Sequence, residues 1–284
     1  MKNFLNKTLL AAAVTAAVAL ASGSAAAVSY LPFTVNEAAV PGTSSATYLP
    51  RADLGTIGGT YNETVTFTPT TAGSGTFVTR LVFNASNFTT STGAPQNGFA
   101  LNAIESAGGY QLYSVFSASG TFGPNSGNSA QTDFAFTSGS LQAYIDPNSD
   151  TKFDLATGTI PSVGAADLLL ATGSILNGTG NQTPGPNCGP TNGINCGSFG
   201  ITTSFELTNF GRTYFTQPIP FYNVSFDSGN FNFLNTGIAT PQQTAGVNNL
   251  TFRNAVPEPE SLALFGIGLL GLGSTMRRRK QAKV

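Results

Sequence analysis

The chain has 284 residues, only 9% of them charged, with 22 phenylalanines, 33 glycines and neither tryptophan nor histidine. Lack of histidine removes Ser-His-Asp and Cys-His catalysis together with the commonest protein metal ligand. The formal net charge of −1 hides an asymmetry, since residues 28–255 hold five basic and eleven acidic side chains, a balance of −6 with no electrostatic footprint for nucleic acid.

In chain order, residues 1–27 read as a secretory signal peptide. Lys2 and Lys7 give the positive start, "TLLAAAVTAAVAL" the apolar stretch, and Ala25 and Ala27 the small-x-small cleavage site. The mature chain is therefore expected to begin near Val28.

Residues 28–255 are expected to form the folded body. Apolar residues alternate in "ETVTFTP", where Val65 and Phe67 share a face, and in "TFVTRLVF", where Phe77, Leu81 and Phe83 do. The alternation continues through Phe134 and Phe136, then Leu141, Ala143 and Ile145, then Ile201, Phe205 and Leu207, and finally Tyr222, Val224 and Phe226. No stretch sustains a 3.6-residue period, so helix should be scarce. Many strands separated by Gly, Pro, Asn and Ser clusters predict an all-β fold, an antiparallel β-sandwich or jelly roll. A signal helix is expected before it and a short hydrophobic helix after it. The segment 177–195, rich in Asn, Gly, Pro and Thr, is expected to be the least structured.

Two local features invite a chemical reading. In "YIDPNSDTKFD" the oxygen-bearing Asp146, Asn148, Asp150 and Asp154 fall at alternating positions, a spacing that can wrap Ca²⁺. The EF-hand pattern fails, however, because Thr151 and Thr157 stand where it needs Gly and Glu, so the expectation is a turn whose side chains satisfy backbone donors, with no metal. Further on, Cys188 and Cys196 are the only cysteines and sit in a Gly/Pro/Asn loop of a chain bound for an oxidising compartment. A disulfide is the expected state, a metal site being the alternative that two thiolates without histidine support poorly.

The tail reads "VPEPESLALFGIGLLGLGSTMRRRKQAKV" from Val256 to Val284. As a helix, the uncharged run 261–275 would reach only about 22 Å, short of a hydrocarbon core of roughly 30 Å, and its four glycines weaken it further. The basic block after it would stay on the cytoplasmic side. Such a segment is expected to be a temporary tether.

A secretory signal paired with Pro257-Glu258-Pro259, a short hydrophobic run and Arg277, Arg278 and Arg279 resembles the PEP-CTERM sorting signal of Gram-negative bacteria. The resemblance covers about the last tenth of the chain, 256–284, and implies recognition by an exosortase at the inner membrane and removal of the tail near the Pro-Glu-Pro. Membrane contact would then end with processing. In the body, "FTVNEAAVPG", "LLLATGSILNGTG" and "TYFTQPIPFYNVSFDSGN" resemble flocculation-associated PEP-CTERM proteins of floc-forming bacteria. That resemblance implies an exported surface or matrix protein that associates with exopolysaccharide and promotes cell aggregation.

No enzymatic activity and no cofactor are expected. The alternatives are a carbohydrate-binding module recognising a defined glycan, or a glycosidase using two carboxylates. Tyr110, Tyr113, Tyr214 and Tyr222 are the aromatic candidates for stacking on a sugar ring.

Overall fold

The computed structural model describes residues 30–43, 50–71, 73–97, 99–102, 109–152, 163–185, 188–189 and 196–253. Eight strands carry the architecture: β2 (Arg51–Thr71), β3 (Ser74–Thr90), β5 (Gln111–Pro124), β6 (Thr132–Asp146), β7 (Leu168–Gln182), β8 (Gly197–Thr203), β11 (Asn223–Phe231) and β12 (Gln242–Arg253). Each pairs antiparallel with the next of these in sequence, and β12 pairs with β2, so the ladder closes into an up-and-down barrel. Closure satisfies both edges that an open sheet would leave unpaired.

The expected sandwich is thus corrected to a single barrel. Both architectures show the same inside–outside alternation along each strand, so the alternation could not tell them apart. The deciding fact is that β2 is paired on both sides, to β3 over Leu54–Thr71 and to β12 over Thr56–Val65.

Tyr61, Val65 and Phe67 of β2 point inward beside Phe77, Leu81 and Phe83 of β3, whereas Thr64, Thr66 and Thr68 point out. Inward rings meet edge to face, as in Phe67–Phe122 at 5.1 Å, Phe77–Phe134 at 5.9 Å and Phe83–Phe226 at 6.1 Å. The lumen is a packed aromatic core and the outer face is largely hydroxyls and amides. This is the reverse of a membrane-spanning barrel, whose outer band is apolar.

Glycines make room for the rings. A Cβ on Gly120 would stand 2.7 Å from the ring of Phe77, its partner across the ladder, and one on Gly75 would stand 2.9 Å from Phe122. The same device explains why the start of the segment 177–195 is strand and not the loop its composition suggests, its residues 186–187 and 190–195 lying outside the described ones. As far as Gln182 it belongs to β7, where Gly178 accommodates Phe136 with a Cβ position 3.0 Å from that ring.

One rim of the barrel gathers the start of β2, the ends of β3, β6 and β12, and the start of β7. A cap covers it, made of β1 (Phe33–Val35), a 3-10 turn (Glu37–Ala39), α1 (Asn209–Tyr214) and β10 (Phe215–Gln217). Two strands of two residues complete the sheet: β4 (Pro95–Gln96) beside β3, and β9 (Glu206–Leu207) beside β7. Phe33 and Phe215 seal the rim against Phe252, at 4.8 and 5.9 Å. Beneath them Glu37, wholly buried, accepts hydrogen bonds from the backbone N–H groups of Ala100 and Leu101 and from the Tyr110 hydroxyl. Tyr110 and Tyr214 also share a hydroxyl–hydroxyl hydrogen bond of 2.6 Å. Burial pushes the Glu37 carboxyl up, and the donors around it oppose that shift.

The opposite rim carries the Cys188–Cys196 disulfide, with a Cα separation of 5.1 Å. Among the described residues, no helix is long and apolar enough to cross a membrane. Both expected helices fall in 1–29 and 254–284, outside the described residues.

Candidate functional site

A dense polar network lies at the capped rim, where β6 ends and β7 begins. Asp146 closes β6 and is wholly buried. Its two oxygens accept from the backbone N–H groups of Asn148 at 3.2 Å and Thr151 at 2.8 Å, and Ser149 adopts a positive φ of 55°. The expected turn is there, with the side-chain-to-backbone bonds that an Asp-Pro-Asn sequence favours.

The turn does not account for Asp167. Ile145 pairs with Leu168, so Asp167 is carried beside Asp146 by the neighbouring strand. Oxygen atoms of Asp146, Asp150 and Asp167 all lie within 4.8 Å of one another. Asp167 Oδ2 is saturated by three donors, the Tyr113 hydroxyl at 2.5 Å, Thr151 Oγ1 at 2.7 Å and the Gly164 N–H at 2.9 Å. Asp167 Oδ1 has none and is shut off from solvent, and so is Asn148 Oδ1. The Asn148 amide nitrogen donates to Asp150 Oδ2 at 2.8 Å.

Of the residues singled out in sequence, Asp146, Asn148 and Asp150 come together here, and Asp154 lies outside the described residues. Lys152 is exposed and forms no ion pair among the described residues. Asp167 stands 21 positions from Asp146, beyond the reach of a local spacing pattern. Pairing consecutive strands would have found it.

The aromatic candidates are corrected. Tyr110 and Tyr214 are buried under the cap, and Tyr113 is buried beneath the acidic turn with its ring stacked on Tyr144 at 5.2 Å. Only Tyr222 is partly open. Burial and the adjoining Asp167 charge push the Tyr113 hydroxyl well above its ordinary range, so it serves as a fixed donor.

Among the described residues, shallow grooves mark the outer face, and two of them are rich in polar side chains. One, of about 400 Å³, is lined by Thr64, Thr66, Arg80, Ser117, Ser138 and Ser140. The other, of about 650 Å³, holds Asp133, whose oxygens accept from Asn125 Nδ2 at 2.7 Å and Gln131 Nε2 at 2.6 Å.

The fold and its polar exterior define a water-facing, closed all-β body. Residues 255–280 match the PEP-CTERM protein-sorting motif and contain Pro257, Glu258, Pro259, Arg277, Arg278 and Arg279, all outside the described residues. The chain therefore carries, over about a tenth of its length, the mark of an exported surface protein that passes through a membrane-anchored step and is handed to an exosortase. No curated protein and no solved structure matches it. Ala25 and Ala27, at the expected signal-peptide cleavage site, also lie outside the described residues.

Proposed function

We propose that the protein is a non-enzymatic component of the cell surface or extracellular matrix that associates with exopolysaccharide and promotes cell aggregation. The observation that carries this reading is the sorting motif at 255–280 attached to a barrel whose lumen is filled and whose working surface is its outer face. A filled lumen leaves no internal chamber for a substrate, while ranks of Thr and Ser hydroxyls offer a hydrated polymer many weak hydrogen bonds. Such bonds are individually small, so binding would come from repetition along the chain.

Deleting the gene should disperse the cells while polysaccharide is still made, and the exported protein should restore the flocs. Continued flocculation after deletion contradicts the proposal. A second reading, a module for one defined glycan, is favoured by the Asp133 groove, where a carboxylate is held between two amides as sugar hydroxyls require. Sharp preference for one oligosaccharide, lost in Asp133→Ala, would select it.

A further inference from the structure

We infer that Asp146, Asn148, Asp150 and Asp167 form a Ca²⁺ site between the end of β6 and the start of β7. Three carboxylates with oxygens inside 4.8 Å repel one another unless a cation stands between them, and no Lys or Arg does so among the described residues. The spacing suits the ion. Oxygens on opposite sides of a Ca²⁺ with Ca–O distances of about 2.4 Å are roughly 4.8 Å apart, and adjacent ones are closer.

The orphaned oxygens point independently to a ligand. Asp167 Oδ1 and Asn148 Oδ1 each expose less than 1 Å² and have no hydrogen-bond partner, although buried acceptors are nearly always satisfied. The direction of Asp167 Oδ1 is also fixed. A Cβ built on Gly164 would stand 2.6 Å from Asp167 Oδ1 and 2.8 Å from Asp150 Oδ1, so these two oxygens converge on one small space beside a residue without a side chain. Asp146, wholly buried and without an ion pair among the described residues, supplies the third carboxylate.

The donor set also decides which cation is bound. Carboxylates and an amide oxygen without nitrogen or sulfur suit a hard cation, and an irregular turn suits Ca²⁺ better than the strict octahedron of Mg²⁺. Asp167 Oδ2, held by three donors, orients the carboxylate so that Oδ1 is left for the metal, the task that outer partners perform at metal sites. Extracellular Ca²⁺ modules work at Kd of roughly 10⁻⁴ to 10⁻³ M, so the site would fill where external Ca²⁺ reaches the millimolar range.

The test uses protein purified after export and stripped with a chelator. About 10 mM CaCl₂ should raise Tm by roughly 5 °C, as expected for a hundredfold excess over Kd in a domain of this size, and MgCl₂ at equal concentration should raise it much less. Tb³⁺ adds a spectroscopic readout. With no tryptophan in the chain, Tyr113, hydrogen-bonded to Asp167, is the antenna, and Ca²⁺ should quench the sensitised emission by displacement. Asp150 is the exposed member, so Asp150→Asn should fold normally yet lose both the Ca²⁺ shift and the Tb³⁺ signal. A wild-type Tm unmoved by Ca²⁺, or a shift that survives in Asp150→Asn, overturns the proposal.

Discussion

Replacing Glu63 by Gln should remove a pH dependence of stability built into the barrel lumen. Glu63 points inward from β2, is 8% exposed, and lies among Val65, Phe67, Phe77, Phe134 and Phe199 around a void of about 30 Å³. Its hydrogen bond from the Thr79 hydroxyl, 2.6 Å, offsets only part of the desolvation, and the carboxyl is pushed from its ordinary 4.5 to about 7. Below about pH 4.5 both folded and unfolded chains hold this proton. Between there and about pH 7 the unfolded chain ionises while the folded one does not, so unfolding releases a proton and stability falls as pH rises. The loss is complete above the folded value and amounts to about 3 kcal/mol at 1.36 kcal/mol per unit. Gln accepts the same Thr79 bond and never ionises.

Thermal unfolding followed by circular dichroism at about pH 4.5 and about pH 8.5 should show Glu63→Gln gaining roughly 6–12 °C on wild type at the higher pH only. The comparison between the two proteins cancels the other carboxylates. An equal difference at both pH values, or none at either, refutes the reasoning.

Other expectations follow from the same structure. Cys188→Ser should cost about 2.5 kcal/mol, since the bridge closes a loop with a separation of 8, and denaturant melts with and without reductant would measure it. Tyr110→Phe takes a donor from buried Glu37 and a partner from Tyr214, a loss of about 1–3 kcal/mol visible in the same melts. Gly120→Val drives a branched side chain into the ring of Phe77 and the backbone of Ala135, so a destabilisation of about 1–3 kcal/mol or more is expected and an unchanged midpoint would count against the packing described. Neutralising Arg277, Arg278 and Arg279 should slow tail processing by weakening membrane orientation, whereas replacing Pro257-Glu258-Pro259 should leave uncut protein in the inner membrane; fractionation and immunoblotting distinguish the two.

The strands were legible because a half-buried strand must alternate, and Val65/Phe67, Phe77/Leu81/Phe83 and Val224/Phe226 do so in the structure. Closure was not, since only the pairing of β2 with both β3 and β12 separates a barrel from a sandwich, and pairing leaves no local mark. Asn177–Gln182 of β7 has the composition of a loop, because glycines take inward positions and polar residues its outward ones. The tyrosines misled for a related reason: a phenol that finds a buried partner, as Tyr110 finds Glu37 and Tyr113 finds Asp167, is indistinguishable in sequence from one left for a ligand. Three of the four residues of the acidic cluster, Asp146, Asn148 and Asp150, were readable from their spacing. The rest, Asp167, depends on a strand register.

The central claim is that this barrel is delivered to the exterior by a tail that is then removed. Mass spectrometry of the intact protein recovered outside the cells tests it directly. The account predicts a chain beginning near Val28 and ending close to Pro257-Glu258-Pro259, without Arg277–Arg279. An extracellular chain that still ends at Val284 would contradict it.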